Sequence, residues 1–244
     1  DPAANAVRVL KLTNWFAGPV HTDPLPANAT DPTPVDRHPL GGLALVPSTP
    51  SVYLVNGLNQ SAPGGHPTDT WKFDLNAGSW SKVADPATGP HPPNYDASSP
   101  AEMIYDPSLN KVVYLSTTYF TGTDTWLLDP ATNRWNALPK DPSSATANVS
   151  ASGAAYDSRR SRIVTFRGGI EYNSSSPKLW SYSASENKWT ALADAPIAAC
   201  APGFAYDSLH DVFLAPVGTK TLIYDPKTDQ WSDVSTPIER GVQR

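Results

Sequence analysis

The chain is nearly free of sulfur, with one cysteine (Cys200) and one methionine among 244 residues. One cysteine excludes an intrachain disulfide and a cysteine-built zinc cluster. Charge is also scarce. Only 17% of residues are charged, and 18 Lys and Arg against 23 Asp and Glu leave a net charge of −5. No basic face or stripe suited to a phosphate backbone is visible, so nucleic acid is not an expected partner. No apolar run approaches the roughly 18 residues that mark a membrane-spanning helix, so no membrane span is expected. The phosphate loop and the Gly-x-Ser-x-Gly nucleophile elbow are both missing, which leaves nucleophilic hydrolysis without support. The sequence opens Asp1-Pro2 with neither an initiator methionine nor an apolar signal region. The expectation is a removed leader or a boundary drawn within a longer chain.

Aromatic and turn-forming residues are plentiful: 8 Trp, 10 Tyr, 6 Phe, 26 Pro and 15 Gly. A disordered chain is poor in aromatics, and Pro plus Gly stays below the roughly 25–30% of low-complexity segments. The composition therefore predicts a globular, turn-rich β protein. Abundant Ser, Thr, Asn and Pro with little Lys, Cys or Met point to a secreted or extracytoplasmic location. Four Asn-x-Ser/Thr triplets, at Asn28, Asn59, Asn148 and Asn173, are candidate N-glycosylation acceptors; two or three are expected by chance in such a chain.

The sequence repeats. Trp71, Trp126 and Trp180 lie 55 and 54 residues apart, and each is followed nine residues later by another tryptophan: Trp80, Trp135 and Trp189. A fourth copy keeps the second position as Trp231 and has Leu222 at the first. Turn signals lie between the two, as in Asp129-Pro130-Ala131-Thr132-Asn133. A second block, Ile104-Tyr105-Asp106, Ala155-Tyr156-Asp157 and Ala205-Tyr206-Asp207, precedes a short polar turn and an apolar run. Each copy predicts four short strands; in the second copy these are about 101–105, 111–117, 124–129 and 134–138. Four strands in a repeat of roughly 50 residues is the pattern of a propeller blade.

The Tyr-Asp turn, the apolar strand ending in Gly and the two Trp strands resemble the kelch-like propellers of the galactose-oxidase central-domain type. The Gly element is Asn56-Gly57, Arg167-Gly168-Gly169 and Val217-Gly218, with Ser116-Thr117-Thr118 in the second copy. The resemblance covers about residues 37–236 and implies an all-β fold, a propeller of four-stranded antiparallel blades. The blades number four, or five if an N-terminal extension (residues 1–36) completes one through Val7–Leu12 and Asn14-Trp15-Phe16. Residues 37–244 form the propeller domain on this reading, and the chain as a piece of a larger propeller remains open.

Labelling the strands a to d within each copy, the a–b and c–d turns share one face and the b–c and d–a loops the other. The turns are short and stereotyped. The loops, about 57–69, 84–100, 117–123, 139–152, 168–177 and 193–202, differ in length and composition. Variable loops on a rigid scaffold are where binding groups sit. Candidate ligand-binding residues there are Arg37, His38, His66, His91, Tyr95, Tyr119, Arg167, Glu171 and Tyr172, beside Asp96 and Phe120. Aromatic faces stack on sugar rings and Arg grips carboxylates, so the expected partner is a glycan or a protein, bound without catalysis. Arg167, after an apolar strand and before Gly168-Gly169, is the leading candidate.

The alternative comes from the resemblance. Several kelch-like propellers act on uronic or sialic acids as lyases or isomerases, which would give His66, His91, Tyr95 and Tyr172 acid–base roles and Arg167 the substrate carboxylate. No metal site is expected, because His21, Asp23, Asp31, Asp36, His38, His66 and His91 match no ligand spacing. No cofactor is expected either. A copper radical oxidase would need a Cys–Tyr cross-link, whereas Cys200 reads as a small hydrophobe at the start of an inner strand.

Overall fold

The computed structural model describes residues 42–56, 68–84, 87, 89–93, 101–118, 122–141, 152–167, 177–197 and 203–234. All belong to the compact unit Pro32–Arg244. The N-terminal extension, its candidate blade strands and Cys200 lie outside the described residues.

Every regular element among these residues is a strand. The first sheet holds β1 (Leu43–Val46), β2 (Ser51–Val55), β3 (Thr70–Asp74) and β4 (Ser79–Ala84). The second holds β5 (Glu102–Asp106), β6 (Lys111–Thr118), β7 (Gly122–Asp129) and β8 (Arg134–Ala137). The third holds β9 (Ser152–Asp157), β10 (Arg162–Arg167), β11 (Lys178–Ser183) and β12 (Lys188–Ala191). The fourth holds β13 (Ala205–Asp207), β14 (Val212–Val217), β15 (Lys220–Asp225) and β16 (Gln230–Asp233). Each is an antiparallel meander in sequence order. Four such sheets are the content expected of four propeller blades.

The strands differ in composition because they differ in what covers them. The second strand of the second and third sheets is buried on both faces, as in Val112-Val113-Tyr114-Leu115 and Ile163-Val164-Thr165-Phe166. With no solvent side, the polar alternation of a half-buried strand is lost. The fourth strand of those sheets buries one side chain, Trp135 or Trp189. The sheets pack through their first strands in the order β1, β5, β9 and β13. Three apolar seams result, each made by successive sheets.

The short turns repeat one geometry. The last residue of the c–d turn is left-handed in all four sheets: Gly78, Asn133, Asn187 and Asp229, with φ of 66°, 55°, 50° and 55°. Asn110, Ser161 and Asp211 do the same in the a–b turns of the last three sheets. Gly, Asn and Asp tolerate this region best. The Asp ahead of the turn supplies the other half of the design. Asp106, Asp157 and Asp207 accept backbone N–H bonds from the residues two and three positions on. Asp74, Asp129 and Asp225 do so in the c–d turns. These hydrogen bonds explain why Asp recurs ahead of these turns where the sequence repeats.

Candidate functional site

On the b–c and d–a face, β2 ends at Val55, whose N–H reaches the Gly42 carbonyl at 2.9 Å. Asn56 then turns left-handed, at φ 51°, and its N–H bonds the Asp69 carbonyl at 3.0 Å. These bonds bring the end of β2 beside the start of β3 and leave the Asn56 side chain pointing into the seam with the second sheet. Its amide nitrogen donates to the Tyr114 hydroxyl at 3.0 Å and lies near the Pro92 and Pro93 carbonyls.

His91 sits in the same cluster at 8% exposure. Its Nδ1 is 2.8 Å from the Pro92 carbonyl, which can only accept, so Nδ1 carries the hydrogen. Nε2 is hydrogen-bonded with the Thr70 hydroxyl at 2.7 Å. Thr70 Oγ1 in turn accepts from Trp135 Nε1 at 2.9 Å. One chain thus runs from the Trp135 indole through the Thr70 hydroxyl and the imidazole to a backbone carbonyl. Trp135 also meets the edges of His91 and Tyr114, with ring centroids 6.1 and 5.9 Å away. The imidazole has a protein partner at each nitrogen, and its visible work is to join the first two sheets.

Arg167 is the last residue of β10, in register with Ser152 on β9 and Lys178 on β11. That places it at the end of a central strand, on the face where the loops depart. The other candidates, Arg37, His38, His66, Tyr95, Asp96, Tyr119, Phe120, Glu171 and Tyr172, lie outside the described residues, as do the acceptors Asn28, Asn59, Asn148 and Asn173.

The same face carries a lysine–aspartate pair in each sheet, near the start of the third strand and the end of the fourth. These are Lys82–Asp69 at 3.7 Å, Lys140–Asp124 at 3.1 Å, Lys178–Asp194 at 2.5 Å and Lys220–Asp233 at 2.7 Å. In the first two sheets the acid belongs to the third strand or the residue before it, and in the last two the lysine does. All are partly exposed and contribute little individually.

The opposite face is held by buried charge. Asp211, 2% exposed, receives Arg160 Nη1 at 2.8 Å, the Tyr206 hydroxyl at 2.7 Å and Lys227 Nζ at 3.3 Å. The Arg160 hydrogen bond, ahead of the others, holds the Asp211 carboxyl well below the usual carboxylate range. Arg160 also reaches Asp157 at 3.1 Å, so it links the third sheet to the fourth. Burial pushes the Tyr206 phenol up to about 12. Within the second seam the Tyr156 hydroxyl donates to Asp106 at 2.9 Å.

Three residues of the His91 cluster, Asn56, Thr70 and Tyr114, were not candidates from the sequence. Thr70 had a visible signal, since Asp69-Thr70-Trp71 recurs as Asp124-Thr125-Trp126. Tyr114 had none, standing in an apolar run. No group of three or more His, Cys, Asp and Glu side chains among the described residues is placed to hold a metal. No family model matches the sequence, and no curated protein matches it.

Proposed function

We propose that the four sheets are blades of a kelch-like propeller, and that this propeller is an exported binding module. Its loop face would take a glycan or a protein partner. The observation that carries this reading is the contrast between the two faces. On one, the turns share left-handed closing residues and side-chain-to-backbone bonds. On the other, the connecting segments differ in length from sheet to sheet. A scaffold that fixes one face and varies the other suits recognition. Arg167 stands at the start of one variable segment and is the residue proposed to hold an anionic or hydroxyl-rich group.

Binding is favoured over the lyase or isomerase reading by His91. A general base needs a ring nitrogen within reach of substrate, and both nitrogens of His91 already have protein partners. The test is a glycan array run beside an ultraviolet assay for unsaturated uronate. Binding without product supports the proposal, and product absorbance overturns it. Arg167→Ala is expected to weaken binding by about tenfold or more with an unchanged melting temperature, the loss of a charge-assisted pair. Unaltered affinity would remove Arg167 from the site.

A further inference from the structure

The two sides of an inner strand can be told apart by what they pack against. On β5, Met103 and Tyr105 pack with the first sheet and Ile104 with the third. Asp106 also faces the third sheet, since it accepts the Tyr156 hydroxyl. Successive residues of a strand alternate between its faces. Glu102, half-buried at the loop-face end of β5, therefore stands on the side of the second sheet that meets the third. It is in register with Leu115, which is fully buried in that seam.

The third sheet brings a cation to the same end of the seam. Val164 and Phe166 of β10 pack with the fourth sheet and Ile163 with the second. The same alternation puts Arg167, the last residue of β10, on the side that meets the second sheet. Ala154, the register partner of Thr165, packs in this seam with Ile104. Glu102 lies one pleat beyond Ile104 and Arg167 one pleat beyond Thr165, a step of about 7 Å in each case. Lys178, the next residue along the Arg167 row, is bound to Asp194 at 2.5 Å. The other two seams carry no charge at these two positions. The strand registers put Gly42 and Ser116 there in the first seam, and Gly153 and Val217 in the third.

We propose that Glu102 and Arg167 form a carboxylate–guanidinium pair at the loop-face mouth of the second seam, and that this pair makes the site one for a neutral, hydroxyl-rich sugar. The inference rests on the binding function proposed above and narrows its ligand. An arginine standing alone would grip a carboxylate. Matched by Glu102, and with Lys178 matched by Asp194, Arg167 adds no net positive charge to draw one in. A second carboxylate would also meet Glu102 as a like charge. Sugar hydroxyls can use both partners, because an ionised carboxylate only accepts, a guanidinium only donates and a hydroxyl does either. At a partly exposed mouth the pair adds little to stability, so its effect is on what binds.

Two measurements on the full chain test this, the first without any ligand. Arg167→Lys is treated with a water-soluble carbodiimide, which joins an amine to a carboxylate in direct contact, and its peptides are mapped by mass spectrometry. A link between position 167 and Glu102 supports the pair. A link to another carboxylate only, or no link, overturns it. The second measurement compares maltohexaose, cellohexaose, mannohexaose and hexagalacturonate binding to the wild type and to Glu102→Gln by calorimetry. The wild type should bind a neutral hexasaccharide about tenfold or more tighter than hexagalacturonate, and Glu102→Gln should narrow or invert that preference. A wild type that prefers hexagalacturonate overturns the ligand class while the binding function stands. If none of these sugars binds while the link to Glu102 forms, the ligand class falls together with the glycan-binding reading it rests on.

Discussion

The first and third seams seat a tryptophan at the same repeat position in different ways. In the first, the Trp135 indole donates to a side chain, Thr70, and the seam interior fills with a polar chain through His91. In the third, Trp231 donates to a backbone carbonyl, Ala193, at 2.9 Å. The interior there stays aromatic, with Phe204 stacked on Phe213 at 5.0 Å and Phe166 against Trp231 at 5.3 Å. Its charges are gathered at the turn end instead, around Asp211 and Arg160. A buried indole N–H needs an acceptor, but the fold does not specify which. The repeat preserves the ring and lets the acceptor vary, so one seam becomes dependent on hydrogen bonds and the other on packing.

The largest effect should come from the packing-dependent seam. Phe213→Ala removes a fully buried ring with Phe204, Tyr206 and Tyr224 around it, at an expected cost of about 3–5 kcal/mol in denaturant melts. A loss under about 1 kcal/mol would show that the aromatic cluster is not what holds this seam. Thr70→Val should cost about 1–3 kcal/mol, because it leaves the Trp135 N–H and the His91 Nε2 without their partner. Combined with Trp135→Phe, the penalty should be less than additive; strict additivity would mean that the chain is not coupled.

The third effect is expected from Asp211→Asn, and its signature is its pH dependence. The Asp211 carboxyl is held low in the folded state. Its contribution is therefore present above the ordinary unfolded value of about 3.9 and fades as pH falls below it. Thermal melts from pH 6 to pH 2 should show the wild type more stable at the upper end and the two proteins converging at the lower. Parallel curves across that range would deny Asp211 its role. On the alkaline side, burial pushes the Tyr182 phenol up to about 12. The tyrosine therefore stabilises the fold below its unfolded value of about 10, and that contribution is lost as pH rises from there toward 12. A tyrosine ultraviolet titration that completes near 10 in the folded protein would contradict this.

The sheets were legible because their pattern is set locally. Trp126 and Trp135 mark the outer strands, and Asp129-Pro130-Ala131-Thr132-Asn133 marks the turn between them; the strands expected at 124–129 and 134–138 form at 122–129 and 134–137. The expected 101–105 begins and ends one residue later, because Asp106 still pairs with Lys111. The candidate site was less legible. His91 could be picked out as a loop imidazole. Its burial depends on Thr70 and Trp135, which lie 21 and 44 residues away in sequence, and no local pattern encodes that meeting. Arg167 could be placed at a strand end because the apolar run before it has a definite length.

The lysine–aspartate pairs near the strand ends change polarity between the second sheet and the third. Four similar sheets in one chain can exchange strands as they fold, a failure typical of repetitive proteins. A hybrid in which β7 met the segment after β12 would set Asp124 against Asp194, acid against acid. The converse hybrid, with β11 meeting the segment after β8, would set Lys178 against Lys140. Each pair adds little to the correct sheet, while the reversal penalises the crossed ones. The charges thus act as a parity mark, telling the front half of the chain from the back before the seams have closed.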